Sequence, residues 1–206
     1  IDIAKSNSLW VFSDECYEQL TYNIDFRSTF DLCSDYNRIL TFQSCSKTYA
    51  MTGWRIGYTC GDSKVIKAMS KLQGQSTSCP NSIAQYAAAA ALTGDQSSVG
   101  TMKKAFHKRR DLIVARLNQI DGVSCDTPGG AFYVFPNFKE IINRNVSGNN
   151  IKSALDLCMM LLEEKLVVSV SGESFGADDN IRFSYATSEE TINDAMDRLE
   201  ALLSEI

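Results

Sequence analysis

The sequence predicts an α/β protein in which short apolar strands end at polar turns and alternate with amphipathic helices. Two strands carry that prediction. Leu9-Trp10-Val11-Phe12 is a short apolar run typical of a parallel strand covered on both faces, and it stops at Ser13-Asp14. Arg38-Ile39-Leu40-Thr41-Phe42-Gln43 is the second, and it stops at Ser44. The third observation lies just beyond it. Lys47, with hydroxyls on either side at Ser46 and Thr48, occupies a polar turn between two apolar strands. Open α/β sheets meet their ligands at the carboxyl ends of strands, where Asp14 falls.

Taken in order, residues 1–8 read as the tail of a polar helix. Residues 19–38 are loop-rich, with Tyr22, Phe26 and Phe30 placed to cover the sheet edge or reach a partner subunit. Ile56-Gly57-Tyr58-Thr59-Cys60-Gly61 is a third strand, whose glycines suit close approach of backbone to a neighbour. Asp62 or Ser63 caps a helix with apolar positions at Val65, Ile66, Met69 and Leu72. Residues 73–79 read as a polar linker, and Pro80 sits at or near the start of an alanine-dense helix over about 81–93. Residues 98–119 form a long amphipathic helix marked by Met102, Phe106, Ile113 and Leu117. Its basic run from Lys103 to Arg110, with His107 inside it, reads as a solvated face.

Beyond that helix, Gly122-Val123-Ser124-Cys125 is a short edge strand. Thr127-Pro128-Gly129-Gly130 turns into a strand at Ala131-Phe132-Tyr133-Val134-Phe135. Residues 143–150 read as an exposed loop before a helix over 151–165, striped by Ile151, Leu155, Cys158, Met159 and Leu162. Leu166-Val167-Val168-Ser169-Val170 is a strand, residues 171–176 a flexible loop, and Ile181-Arg182-Phe183-Ser184-Tyr185 an alternating strand. Thr187 with Glu190 forms a capping-box pattern ahead of a last helix at about 189–204.

By residue type alone, each candidate for chemistry has two readings. Lys47 is a solvated loop lysine or an amine nucleophile toward a carbonyl cofactor. Asp14 is a strand-end turn former or a carboxylate facing a ligand. Arg55, eight residues after Lys47, is a surface ion-pair partner or an anion clamp. Arg182, flanked by Ile181 and Phe183, is a charge in a costly place, held by a salt bridge or reserved for an anionic ligand.

The run Ser46-Lys47-Thr48-Tyr49-Ala50-Met51-Thr52-Gly53-Trp54-Arg55-Ile56-Gly57-Tyr58 resembles the cofactor-lysine signature of the class I/II aminotransferases, pyridoxal-phosphate (PLP) enzymes of fold type I. Ser13-Asp14-Glu15-Cys16-Tyr17-Glu18 upstream and Asn180-Ile181-Arg182-Phe183-Ser184-Tyr185-Ala186 downstream match in the family's order. With Gln75-Ser76-Thr77-Ser78 and Ser82-Ile83-Ala84-Gln85-Tyr86, the likeness is greatest to bacterial aspartate aminotransferases of the prephenate-using subgroup. The resemblance covers the whole chain but only the C-terminal half of the family's usual length. It implies a mostly parallel large-domain sheet over residues 1–100, whose Gly57-bearing strand is antiparallel, and an interdomain helix with a smaller α+β domain over 101–206.

The same resemblance assigns roles. Lys47 forms a Schiff base with PLP and then moves the substrate's α-proton. Asp14 faces the pyridine nitrogen and Tyr17 the ring oxygen. Ser44, Ser46 and Arg55 hold the phosphate, Arg182 grips the substrate carboxylate, and Phe175 helps close the pocket. The substrates implied are an L-amino acid, aspartate, and a 2-oxo acid, 2-oxoglutarate, in a homodimer, with the chain by itself impaired. A β-lyase, a synthase acting on activated methionine, a decarboxylase and a non-catalytic domain of the same fold stay open.

Composition bounds the remaining classes. A formal net charge of -5 argues against nucleic acid or anionic membrane as partner. Seven cysteines without paired spacing read as reduced thiols in a cytoplasmic setting, and a single histidine gives little basis for a metal site. No apolar run reaches membrane-spanning length. Asn145-Val146-Ser147 matches a glycosylation acceptor, a pattern without meaning in a cytoplasmic protein. The chain opens at Ile1 as if in mid-helix, which reads as a fragment boundary.

Overall fold

Residues 1–32, 35–146 and 149–204 are described by the structure, a computed structural model, and form two units, Ile1–Lys103 and Lys104–Ile206. The first unit is built on a three-stranded sheet in the order β1 (Val11–Asp14), β2 (Ile39–Ser44), β3 (Gly57–Gly61). Helix α1 (Asp2–Ser6) precedes β1, and α2 (Thr29–Leu32) lies between β1 and β2. β1 and β2 run parallel, in register from Val11 opposite Ile39 to Asp14 opposite Phe42. β3 returns antiparallel, with Ser44 opposite Gly57 and Leu40 opposite Gly61. The sheet is therefore mixed, where a mostly parallel one was expected, and the antiparallel member is the expected strand. Only α3 (Cys45–Thr48) and a 3₁₀ turn (Thr52–Trp54) lie between β2 and β3, with no long helix to carry the chain back across the sheet as a parallel crossover usually does.

β1 begins two residues later than its apolar run, and it is not covered on both faces. Phe12 is 68% exposed and rests edge-on against Phe42 at 5.8 Å. Tyr22 is buried, whereas Phe26 and Phe30 stay exposed.

Asp62 caps α4 (Ser63–Ser76), its carboxylate accepting from the Lys64 and Val65 amides. The helix runs through residues 73–76, expected to be linker, and ends where Ser78 turns to φ 65°. None of its apolar positions is buried. Pro80 precedes the cap of α5 (Ser82–Thr93), which is Asn81. Ala84 and Ala88 of α5 are buried, and their small side chains allow close packing. Ala88 joins buried Cys45 and Met51, with Tyr49, Ile56, Ala87 and Ala91 around them, so the lysine turn is seated on this helix.

Helix α6 (Ser97–Leu117) passes from the first unit into the second, where Phe106, Ile113, Val114 and Leu117 are buried. Its basic run is not wholly solvated. Arg110 is 5% exposed, paired with Asp111 at 2.6 Å and donating to the Pro128 carbonyl. The second unit carries an antiparallel sheet in the order β4 (Tyr133–Val134), β8 (Ile181–Ser184), β7 (Val170–Ser171). Expected strands at 122–125 and 166–170 shrink to an isolated bridge at Ser124 and to β7, because Leu166 ends a helix in the left-handed region at φ 55°. The expected loop 143–150 holds a pairing of β5 (Asn145–Val146) with β6 (Asn149–Asn150); Ser147 of the acceptor pattern lies outside the described residues.

Ser153 caps α7 (Ala154–Lys165), which sets its phase. Ala154, Leu157, Cys158 and Leu161 are buried, and Leu155, Met159 and Leu162 of the expected stripe face outward. The expected flexible loop is a 3₁₀ turn (Gly172–Phe175) closed by Gly176 at φ 73°. A side chain at Gly172 would stand 2.1 Å from the Ala177 carbonyl oxygen. Ser188, one residue later than expected, caps α8 (Glu189–Leu203), whose Ile192, Met196, Leu199 and Leu203 are buried at helical spacing.

Gly57 is the tightest requirement of the first sheet. A Cβ there would lie 2.5 Å from the Gln43 carbonyl oxygen, a backbone atom that cannot swing aside. Gly57→Ala should therefore destabilise the protein by about 1–3 kcal/mol, read as a lowered urea midpoint at unchanged slope.

Candidate active site

The parallel β1–β2 pair brings two short segments side by side at its carboxyl end. Asp14 ends β1, exposed, its Oδ1 accepting the Cys16 amide at 3.1 Å. Ser44 ends β2 and caps α3, its Oγ accepting the Ser46 amide at 3.1 Å. Half-buried Lys47 lies in α3 with its Nζ 5.8 Å from the centre of the Tyr17 ring. Burial pushes the Cys16 thiol up, Asp14 pushes it further, and Lys47 opposes the shift. One sulfur thus feels the carboxylate and the ammonium together.

Arg55 stands at the same end of the sheet, two residues before Gly57, the partner of Ser44. It adopts the left-handed conformation (φ 53°, ψ 51°), which costs a non-glycine residue about 1–2 kcal/mol. Its guanidinium is exposed and donates to the Thr52 carbonyl at 2.9 Å. An open cleft beside it is lined by Gly53, Trp54, Asn81 and Ala84. Asp14, Tyr17, Ser44, Ser46, Lys47 and Arg55 all belong to the first unit. Between them they supply a lysine amine, a carboxylate, a phenol, two hydroxyls and a guanidinium, groups that could hold a carbonyl compound bearing a ring nitrogen and a phosphate.

Arg182 and Phe175 meet in the second unit. The Arg182 Cζ lies 4.6 Å over the Phe175 ring and 4.7 Å over the Tyr133 ring. Among the described residues Arg182 has no salt bridge, so its structural reading as an ion pair is not what the structure contains.

Sequence reasoning missed Glu15. It is 3% exposed, accepts from the Thr29 amide (2.9 Å) and hydroxyl (2.8 Å), and takes the Gln43 amide at 3.1 Å. Its own amide donates to the Phe42 carbonyl at 2.9 Å, extending the β1–β2 pairing past Asp14. A glutamate next to Asp14 gave no sequence signal of burial, because its partners are 14 and 28 residues away.

Residues 1–199 match the family profile of aminotransferase class I and II, and the chain belongs to that family. It is 44% identical over 196 residues to the aspartate/prephenate aminotransferase of Cereibacter sphaeroides, covering 94% of this chain and 49% of that protein. The crystal structure of the aspartate aminotransferase from Rhizobium meliloti superposes with a TM-score of 0.94 at 41% identity, over 98% of this chain and 52% of the other. An aromatic aminotransferase from Pyrococcus horikoshii gives 0.89 at 35% identity, over 99% and 53%. The chain thus spans about half the length of these relatives.

Burial pushes the Glu15 carboxyl up, but hydrogen bonds from the Ser28 hydroxyl, the Thr29 amide and hydroxyl, and the Ser13 hydroxyl outweigh it and leave it below the usual glutamate value. A lowered folded value means that its contribution is complete above the ordinary glutamate range and is lost as pH falls through the folded value. Glu15→Gln should cost about 1–3 kcal/mol at neutral pH, and that deficit should shrink by roughly pH 3, measured by urea unfolding at both.

Proposed function

We propose that the full-length protein to which this chain belongs carries out PLP-dependent transfer of an amino group from an L-amino acid, aspartate, to a 2-oxo acid, 2-oxoglutarate, and that this chain by itself is impaired. The observation that carries the reading is that Lys47, whose Nζ lies 5.8 Å from the centre of the Tyr17 ring, follows β2 at the sheet edge where Asp14 ends the parallel β1. Membership of the aminotransferase family supports it, and so does the donor set, which fits the cofactor group by group. The aspartate reading rests on the relatives that carry that name.

When bound, PLP supplies an electron-accepting ring that lowers the barrier to breaking a bond at the substrate's α-carbon. The protein does the rest. Asp14 holds a proton on the ring nitrogen by placing an anion against it. Tyr17 donates to the ring oxygen. Ser44, Ser46 and Arg55 hold the phosphate, where a planar guanidinium matches phosphate oxygens. Lys47 would tether the cofactor through its carbonyl carbon, and once the substrate's amine displaces it, the freed Lys47 Nζ would take the substrate's α-proton and give it back. Arg182 receives the α-carboxylate through its fork, and Phe175 shields that contact from water. Residues 1–100 serve as the C-terminal part of a cofactor-binding domain and 101–206 as interdomain helix and small domain of a cytoplasmic homodimer.

Among the described residues no helix is long and apolar enough to cross a membrane, and no cluster of metal-ligating side chains is present. Neither a membrane nor a metal enters the reading.

A single turnover of the full-length protein separates this reaction from elimination or decarboxylation on the same fold. Aspartate without a 2-oxo acid should release one oxaloacetate per site and then stop until 2-oxoglutarate is added. Continued release of ammonia or carbon dioxide would contradict the proposal. In the same assay Lys47→Ala should lose at least about 10²–10⁴-fold in rate, with the fold retained as read by an unchanged urea midpoint. Asp14→Asn should keep part of the bound cofactor and lose most of the rate.

A further inference from the structure

We propose that Tyr133 is a positioning residue for Arg182. Together with Phe175 it fixes the guanidinium so that the N–H edge is presented to a carboxylate. The inference rests on the substrate-carboxylate role given to Arg182 above.

Three separate segments converge on this one cation. Tyr133 comes from β4, Arg182 from β8 and Phe175 from the end of the 3₁₀ turn. Tyr133 pairs with Ser184 across the strands, which sets its ring diagonally against Arg182. The Phe175 ring is braced in turn by Phe135, edge to face at 5.9 Å and 89°. Behind the strand, Ile181 and Phe183 are buried and anchor it, so the Arg182 side chain emerges from a fixed base.

The contacts divide the guanidinium by chemistry. Aromatic faces attract a cation through the ring quadrupole and accept nothing from the in-plane N–H groups. Those donors lie in the plane of the fork, which is the geometry that binds a carboxylate by two parallel hydrogen bonds. Among the described residues Arg182 has neither a salt bridge nor a hydrogen bond from its guanidinium. A half-buried cation held by rings alone keeps its orientation while leaving its donors for an incoming anion. A protein carboxylate in place of the rings would fix the fork as well, but it would occupy the edge that the substrate needs.

The test uses the intact, cofactor-loaded protein. Tyr133→Leu should raise KM for aspartate and for 2-oxoglutarate by about 10-fold, equal to ~1.4 kcal/mol, with kcat little changed. Tyr133→Phe keeps the ring and should restore wild-type KM, which loss of mere surface packing would not explain. A binding readout runs beside it. Succinate, which carries no amine, should protect Arg182 from phenylglyoxal, followed by peptide mapping. The half-protecting concentration should rise about 10-fold in Tyr133→Leu and stay put in Tyr133→Phe. Phe175→Leu, in a different element, should repeat the loss and carries the test if Tyr133→Leu fails to fold. Unchanged KM and protection in the ring-deleting variants, with KM raised in Arg182→Ala, would overturn the clamp alone. An unchanged KM in Arg182→Ala as well would overturn the carboxylate role itself.

Discussion

The parallel pairing of β1 with β2 is the constraint on which the candidate site depends. Parallel strands end at the same edge of the sheet, so the residues that follow each strand meet there. In this chain those residues are Asp14-Glu15-Cys16-Tyr17 and Ser44-Cys45-Ser46-Lys47, about 30 residues apart in sequence, at the end of strands held by four register pairs. Glu15 locks the junction from below, its buried carboxylate tying the end of β1 to Thr29 and to Gln43 of β2. A one-residue slip between the strands would carry Asp14 away from Phe42 and turn it to the other face. The antiparallel return of β3 then places Arg55 at the same edge, because Gly57 admits the Gln43 backbone where any side chain would collide.

The second unit solves a different problem, that of holding a cation without neutralising it. Its sheet is short, and its strands serve chiefly to present Tyr133 and Arg182 on neighbouring strands. The unit's bulk comes from α7 and α8, which bury Leu157, Leu161, Met196 and Leu199. The tight turn at Gly172 brings Phe175 back to the arginine.

Much of this was legible in the sequence, for physical reasons that differ from element to element. The carboxyl ends of β1 and β2 could be read because an apolar run stopping at Asp14 or Ser44 is a local signal. Helices α6 and α8 could be read because their buried positions repeat at helical spacing over many residues. The motif around Lys47 carried the family. What the sequence hid was non-local. The register that ties Glu15 to Gln43 is set by hydrogen bonds across 28 residues, and nothing in the local pattern distinguishes Glu15 from Glu18. Tyr133 and Arg182 are linked by strand pairing across the whole of α7, which no spacing rule anticipates. The phase of α7 was misread because leucines stand on both of its faces, so hydrophobicity could not choose between them. The cap at Ser153 sets where the helix begins, and the core takes Leu157 and Leu161.

Borohydride reduction of the PLP-loaded full-length protein, followed by proteolysis and mass mapping, tests whether Lys47, at the edge of the β1–β2 pair, is the amine that bonds the cofactor. The expected product is a single phosphopyridoxyl-bearing peptide with the label on Lys47. A label on any other lysine, or none in a protein that still binds PLP, would contradict it.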